Sequence, residues 1–161
     1  MTWNQAEAPR IRVGPFWDGV EGRVPVPPAA ATLGFGFVDA TADEITVSFE
    51  ATPAFTNPMG EVLGAFQAAM LYDTVGPALL ATLGPGEFIE TLHLDVHFLN
   101  PTKPGRLIGV GRVVQRTGDI ATLEGTLSTT DSVLLATATA VALVLPANVG
   151  SSLSPAPALR S

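Results

Sequence analysis

The residue best suited to chemistry in this sequence is Asp73, a carboxylate in the most apolar stretch of the chain. That stretch runs from Glu61 to Leu83, EVLGAFQAAMLYDTVGPALLATL, and contains two acidic residues and no basic ones. An ionised carboxylate is costly to bury, so Asp73 needs partners or a function. Partial burial would tune its pKa for nucleophilic attack or general base catalysis. The alternative is a solvated residue, or a cap for a helix that restarts at Pro77.

The start of the same stretch offers backbone hydrogen-bond donors. Free N–H groups at a helix N-terminus stabilise negative charge, and Gly64 would let a carbonyl group approach closely. An oxyanion hole at Gly64 and Ala65 is one hypothesis, and a tight turn whose glycine serves packing alone is the other. Asn57, in the preceding loop, could orient a carbonyl or a water molecule, or could simply form a turn before Pro58.

Three polar side chains, His93, Asp95 and His97, alternate along one predicted strand. Ligands at positions i, i+2 and i+4 of a regular strand span about 13 Å, which is too far to converge on one metal ion. We therefore predict no metal site here. The histidines are expected to point to solvent or to another subunit.

Half of the basic residues lie close together in the sequence, at Lys103, Arg106, Arg112 and Arg116. No acidic residue lies between Asp95 and Asp119. The three arginines share strand parity, so they could form one positive strip that binds a phosphorylated ligand. An ordinary solvated strand face explains the same pattern equally well.

Composition limits the class of protein. A length of 161 residues fits one domain, and 47% hydrophobic against 14% charged residues suggests that another subunit covers apolar surface. The net charge of −7 argues against nucleic acid as a partner. The absence of cysteine excludes disulfides, zinc-thiolate sites and thiol nucleophiles. With neither a signal peptide nor a membrane-spanning run apparent, we expect no membrane partner and a cytoplasmic location.

The order of elements predicts an α+β fold with an antiparallel sheet wrapped around one long central helix. A proline-rich N-terminal arm, expected to be extended, covers residues 1–32, the folded domain residues 33–146, and a flexible tail residues 147–161. Strands are predicted near residues 33–39, 45–51, 88–99, 106–115, 120–128 and 133–145, with the helix over residues 61–83. A kink or restart is expected at Gly76-Pro77.

The helix segment Asn57-Pro-Met-Gly-Glu-Val-Leu-Gly-Ala-Phe-Gln-Ala-Ala-Met-Leu-Tyr-Asp73-Thr resembles the PaaI-like (phenylacetate-type) hotdog thioesterases. The resemblance continues through Thr91-Leu-His-Leu-Asp-Val-His-Phe-Leu-Asn-Pro101, Gly105-Arg106 and Val113-Val-Gln-Arg-Thr-Gly118. It covers roughly residues 33–145 and implies a hotdog fold.

This chain departs from the family pattern before the helix, where a His-Gly-Gly-like turn reads Leu63-Gly64-Ala65. Two alignments therefore stay open. One places Tyr72 at the family's carboxylate position, and the other slides Gly64 into the place of the histidine and makes Asp73 the carboxylate. We favour Asp73, because a carboxylate carries the chemistry and Thr74 follows it as in many relatives.

The resemblance implies hydrolysis of acyl-CoA thioesters by a homodimer or homotetramer whose subunits share each site. Asp73 would be nucleophile or general base, Gly64 would lie at the oxyanion hole, and Asn57 and Thr91 would assist. Substrate contacts are expected from Ala65, Phe66, Met70, Tyr72, Lys103, Arg106 and Arg116, with a medium-chain or aromatic acyl group. CoA enters as part of the substrate, and no separate cofactor is expected.

Two other functions remain as alternatives to hydrolysis. A degenerate hotdog protein would bind acyl-CoA or another apolar ligand without turnover, as the missing histidine suggests. A hotdog hydratase is less favoured, because it needs a histidine paired with an acid near the helix, and neither His93 nor His97 lies there.

Overall fold

The computed structural model describes residues 12–147, and its elements follow the predicted order. The first eleven residues of the predicted arm and the predicted tail from residue 148 lie outside the described residues. Three helices are present: α1 (Pro15–Val20), α2 (Pro28–Thr32) and α3 (Gly64–Leu80), with a 3-10 turn at Pro53–Phe55. The strands are β1 (Gly36–Ala40), β2 (Glu44–Ala51), β3 (Glu87–Phe98), β4 (Gly105–Thr117), β5 (Ile120–Thr129) and β6 (Leu134–Pro146).

The six strands form one antiparallel sheet in the order β1-β2-β4-β5-β6-β3. The strands β1 and β3 are therefore its two edges. In β2 the apolar residues Ile45, Val47 and Phe49 are buried while their neighbours are not, as the predicted alternation requires. The predicted α+β class, an antiparallel sheet around a central helix, is confirmed.

Helix α3 lies unusually close to the sheet because three glycines face it. A Cβ atom at Gly109 would lie 2.3 Å from Thr74 Oγ1, and one at Gly111 would lie 2.7 Å from the Thr74 carbonyl oxygen. At Gly125 a Cβ would lie 2.8 Å from Val75 Cγ1. Any larger residue would push the helix away from β4 and β5, so these glycines fix the depth at which α3 lies.

Helix α3 is shorter than predicted and does not restart at Pro77. It begins at Gly64 and continues through Pro77 to Leu80, so Asp73 does not cap a second helix. Because proline has no N–H, Pro77 cannot donate the usual hydrogen bond to the Asp73 carbonyl oxygen. The buried hydroxyl of the neighbouring Thr74 donates to the Met70 carbonyl oxygen at 2.7 Å.

The prediction of an extended N-terminal arm is wrong for its described part, which contains two short helices. Pro15 and Pro28 each begin a short helix, a position that proline favours because the first helical N–H needs no partner. Trp17 is fully buried, and its Nε1 donates to the Ala81 carbonyl at 3.2 Å. Its ring makes edge-to-face contacts with Phe37, so the arm is anchored to the domain.

Among residues 12–147, no helix has the length and apolar character needed to cross a bilayer.

Candidate active site

Asp73 lies in the second half of α3 with a partly buried side chain. Its Oδ2 atom is buried and has no hydrogen-bond partner among the described residues. Burial raises the pKa of the Asp73 carboxyl to about 6, because the charged form loses hydration. Such a carboxylate remains mostly ionised at neutral pH yet accepts a proton readily, which suits a general base.

Asp73 lines a cavity of about 540 Å³ between the arm, β1 and α3. The other lining residues are Pro15, Phe16, Gly19, Val20, Val24, Pro25, Val26, Pro27, Ala30, Phe35, Phe37, Pro77, Leu80 and Phe88. Of the described residues that line this cavity, Asp73 alone carries a polar side chain. An apolar pocket with one carboxylate is a common arrangement for binding and activating a small ligand. We call it the Asp73 cavity.

A smaller cavity, of about 320 Å³, lies at the N-terminal end of α3. Its lining is Val62, Gly64, Gln67, Phe98, Leu99, Asn100 and Pro101. A Cβ atom at Gly64 would lie 3.2 Å from the Phe98 ring, so a side chain there would force the ring to move. We call it the Gly64 cavity.

Gln67 was missed by the sequence analysis. It is 4% exposed, its Nε2 donates to Val62 O at 3.4 Å, and its Oε1 has no partner among residues 12–147. A buried acceptor without a donor costs free energy, so its place beside a cavity suggests a ligand or water as donor. The signal in the sequence that could have identified it is a glutamine within an otherwise apolar helix.

The first turn of α3 leaves two backbone donors free. The N–H groups of Phe66 and Gln67 donate to Leu63 O at 2.9 and 3.2 Å, whereas those of Gly64 and Ala65 have no acceptor within the described chain. Free donors at a helix start are suited to an oxyanion. Asp73 follows Gly64 by nine positions, about 13 Å along the helix axis, so one protomer cannot bring both groups to the same carbonyl.

Asn57 has a local role in the structure, and neither Asn57 nor Thr91 lines one of the two cavities. Asn57 Oδ1 accepts from the N–H groups of Met59 and Glu61 at 2.9 and 3.1 Å, so its carbonyl holds the turn. Its amide nitrogen makes no hydrogen bond to a described group. Thr91 is half-buried on β3, next to an irregularity in the pairing with β6.

The structure separates the apolar residues predicted to contact substrate. Met70 is fully buried in the core and lines neither cavity. Phe66 stacks on Phe55 with ring centroids 4.1 Å apart. Ala65 and Tyr72 are exposed, Tyr72 to 49%, and neither lines a cavity, whereas Asp73 does.

The predicted positive strip along β4 is not formed. A bulge between Val113 and Gln115 shifts the pairing with β5, so Arg116 lies on the opposite face from Arg106 and Arg112. Ten residues of strand place Arg106 and Arg116 about 33 Å apart.

The cations themselves have different neighbours. Arg112 pairs with Glu124 at 2.6 Å, and Arg116 lies 3.4 Å from Glu87. Lys103 Nζ donates to Met59 O at 3.1 Å, close to the start of α3, while Arg106 is exposed at the beginning of β4.

Comparison with solved structures supplies the family. A phenylacetic acid degradation-related protein of Ralstonia eutropha JMP134 is 37% identical, with a TM-score of 0.77 over 80% of this chain and 98% of that one. The chain belongs to the PaaI-like hotdog thioesterase family. No protein-family model matches the sequence, and no curated protein sequence matches it.

More distant members of this fold are also similar. The E. coli PaaI protein from the phenylacetic acid degradation operon is 13% identical, with a TM-score of 0.72 over 81% of this chain and 93% of that one. A thioesterase from Haemophilus influenzae is 17% identical, with a TM-score of 0.69 over 73% and 82% of the two chains. The hotdog fold expected from the sequence is thereby confirmed.

Proposed function

We propose that the protein hydrolyses acyl-CoA thioesters and that Asp73 is the general base. The observation that carries this proposal is the position of a carboxylate with a raised pKa as the one polar side chain in the described lining of the Asp73 cavity. Its family membership supports thioester chemistry.

In the proposed reaction, the Asp73 carboxylate accepts a proton from water while the water oxygen bonds to the thioester carbonyl carbon. Helix N-terminal N–H groups, those of Gly64 and Ala65, stabilise the oxyanion that forms. The carbon–sulfur bond then breaks, and the sulfur takes the proton from Asp73. The products are a carboxylic acid and the CoA thiol, and Asp73 returns to its ionised form.

A second protomer would supply the oxyanion donors, because about 13 Å separates Gly64 and Asp73 along one helix. Strand β3 is an edge of the sheet in the described structure, and antiparallel pairing of two such edges about His93, which we propose, would place Phe88 of one protomer beside Phe98 of its partner. Phe88 lines the Asp73 cavity and Phe98 lines the Gly64 cavity. Each composite site would therefore combine Asp73 of one protomer with Gly64, Ala65 and Gln67 of the other.

Exposed apolar side chains support pairing through β3. Phe88, Leu92, Phe98 and Leu99 are between 52% and 56% exposed in the single protomer. A cluster of large apolar side chains along an unpaired edge is typical of a subunit interface. We propose a homodimer as the smallest active unit, with a tetramer as a further possible assembly.

For the CoA phosphates we propose Lys103 and Arg106. Lys103 lies beside Met59 in the loop ahead of α3, and the Val62 N–H donates to Thr102 O at 2.9 Å, so this segment borders the Gly64 cavity. Arg106 is exposed nearby on β4. Arg116, on the other face near the far end of β4, is not included.

The decisive experiment is a thiol-release assay over a series of acyl-CoA thioesters, with wild type, Asp73→Asn and the matched control Asp131→Asn, an exposed turn aspartate. We expect Asp73→Asn to lose at least about a hundredfold in kcat/KM, with the dimer intact by analytical ultracentrifugation. Asp131→Asn should retain wild-type activity. Equal activity of the two variants would exclude Asp73 as the base.

One observation favours ligand binding without turnover: the family's histidine position is occupied by Leu63 or Gly64, depending on the alignment, and by a histidine in neither. Under this alternative, wild type would bind an acyl-CoA in calorimetry and release no thiol. The same thioester series therefore separates the two functions.

A further inference from the structure

We propose that the N-terminal arm forms the outer wall of the acyl-binding pocket and limits this enzyme to apolar acyl groups of medium length. This inference rests on the proposed thioesterase function. The wall consists of Phe16, Val20, Val24 and Val26, which we call the arm wall. None of these residues was predicted to contact substrate.

The Asp73 cavity exists because the arm folds back over the domain. On the domain side it is bounded by Phe35, Phe37, Pro77, Leu80 and Phe88, and on the other side by the arm wall. Without the arm, the face of α3 that carries Asp73 would be open to solvent at this point. The arm therefore converts an open surface into a pocket.

The arm is held firmly enough to act as a wall. Trp17 is fully buried next to Phe16, and its Nε1 donates to the Ala81 carbonyl at the end of α3. Arg23 then closes the following turn through ion pairs with Asp18, at 2.7 Å, and with Glu21. The N–H groups of Arg23 and Val24 both donate to Asp18 O, at 2.8 and 3.3 Å. These contacts hold Val24 in the turn after α1, two residues before Val26.

The lining selects the chemistry of the acyl group. Away from Asp73, the described lining offers no side-chain donor or acceptor, so a hydroxyl, amine or carboxylate on the acyl chain would lose hydration without a partner. A terminal carboxylate would also meet the negative charge of Asp73. The volume of about 540 Å³ lies within the range typical of small-molecule sites and suits a medium-length chain.

Val24 and Val26 provide the test, because they line the cavity yet are 45% and 44% exposed. Larger side chains there can fill the pocket without disturbing the core. Val133, 47% exposed in the turn before β6 and outside the cavity, is the matched control. We therefore compare Val24→Trp, Val26→Trp and Val133→Trp with wild type.

The measurement is kcat/KM for butyryl-, octanoyl-, dodecanoyl- and succinyl-CoA. We expect Val24→Trp or Val26→Trp to lower the ratio of dodecanoyl to butyryl hydrolysis by about tenfold or more, and Val133→Trp to leave it unchanged. Wild type should hydrolyse succinyl-CoA at least about a hundredfold less efficiently than butyryl-CoA. Unchanged ratios in both arm variants, or comparable succinyl hydrolysis, would overturn the proposal.

A binding measurement keeps this inference separate from the catalytic one. Calorimetry with a non-hydrolysable octyl thioether of CoA should show binding to wild type that Val24→Trp weakens by about tenfold and Val133→Trp does not. If no thioester is hydrolysed but this pattern holds, the proposed function fails while the arm-wall pocket stands. If hydrolysis occurs but the arm variants bind the thioether as wild type does, the pocket assignment fails alone.

Discussion

Pro77 lies one helical turn after Asp73 and cannot donate a hydrogen bond to the Asp73 carbonyl oxygen. The same residue therefore has a backbone carbonyl that lacks its helical donor and a carboxylate oxygen, Oδ2, that has no partner in the described structure. The Oδ2 atom can accept a hydrogen from a water molecule. The carboxylate of the proposed base and the one proline inside α3 therefore lie one turn apart on the same helix.

The pH dependence of activity follows from Asp73. Burial raises the pKa of this carboxyl to about 6, and the base must be ionised to accept a proton. We expect kcat/KM to rise about tenfold per pH unit below pH 6 and to level off above it. Measurement from pH 4.5 to 8.5 checks this, with Asp131→Asn as control. A flat profile between pH 5 and 7 would contradict the assignment.

Stability should change with pH in the opposite sense. Asp73 has a folded-state pKa of about 6 against an ordinary value of 3.8, so the folded protein binds its proton more tightly than the unfolded chain does. The free-energy cost of the buried charge is absent below pH 3.8, the ordinary pKa, and is complete above about pH 6, the folded-state pKa. At most it amounts to about 3 kcal/mol.

Asp73→Asn removes this cost, so we expect the variant to gain about 1–3 kcal/mol of unfolding free energy at pH 7.5 and little at pH 4. Urea unfolding at both pH values measures the difference. Asp131→Asn should show no such pH-dependent gain. A loss of stability at pH 7.5 would mean that the Asp73 carboxylate has stabilising partners.

Gln67 should matter for activity more than for folding. Replacing it by Leu removes an unpaired buried acceptor together with the long hydrogen bond to Val62 O, so the melting temperature should change little. If its Oε1 receives a hydrogen bond from water or substrate, kcat/KM should fall by about tenfold. Kinetics and thermal unfolding of Gln67→Leu separate these effects, and unchanged kinetics would assign Gln67 to packing alone.

The close packing of α3 on glycines predicts that a larger residue at one of them destabilises the protein. Gly109→Ala places a Cβ atom 2.3 Å from Thr74 Oγ1, so the helix or the strand must shift, at a cost of about 1–3 kcal/mol. Gly86→Ala is the control, because a Cβ there meets nothing within 4 Å. Denaturant unfolding of both variants provides the comparison, and equal stabilities would show that the layers are loosely packed.

The composite site predicts complementation between inactive variants. Asp73→Asn loses the base, and Gly64→Val, whose Cβ would press on the Phe98 ring, blocks the oxyanion hole. Each homodimer should be inactive. In a mixed dimer, one of the two sites receives both intact groups, so random re-association of equal amounts should restore about a quarter of wild-type activity. No recovery after verified exchange would place both groups of each site in one protomer.

The order of elements and the central helix were predictable, because alternation in β2 and the apolar run of α3 are local signals. Ile45, Val47 and Phe49 are buried as their period-two pattern requires. The prediction of an extended arm was wrong because a proline excluded from helix interiors is favoured at helix starts, and Pro15 and Pro28 begin helices.

The candidate site was less accessible to sequence analysis. A bulge near Val114 reverses the face of Arg116, and no residue type in β4 announces it. The cavity wall formed by Val24 and Val26 depends on how the anchored arm folds back, which is long-range packing. Asp73 stood out because a carboxylate in an apolar helix is unusual at the level of residue types.

The free edge of β3 also bears on how the active protein is assembled. In a single protomer, the outer N–H and C=O groups of this strand are a template for any other extended chain. In the proposed dimer, a newly folded protomer would have to find its partner before it meets misfolded strands. Slow assembly at low concentration would favour aggregation seeded at β3. The edge that would complete the proposed catalytic site is therefore also the edge most exposed to aggregation before assembly.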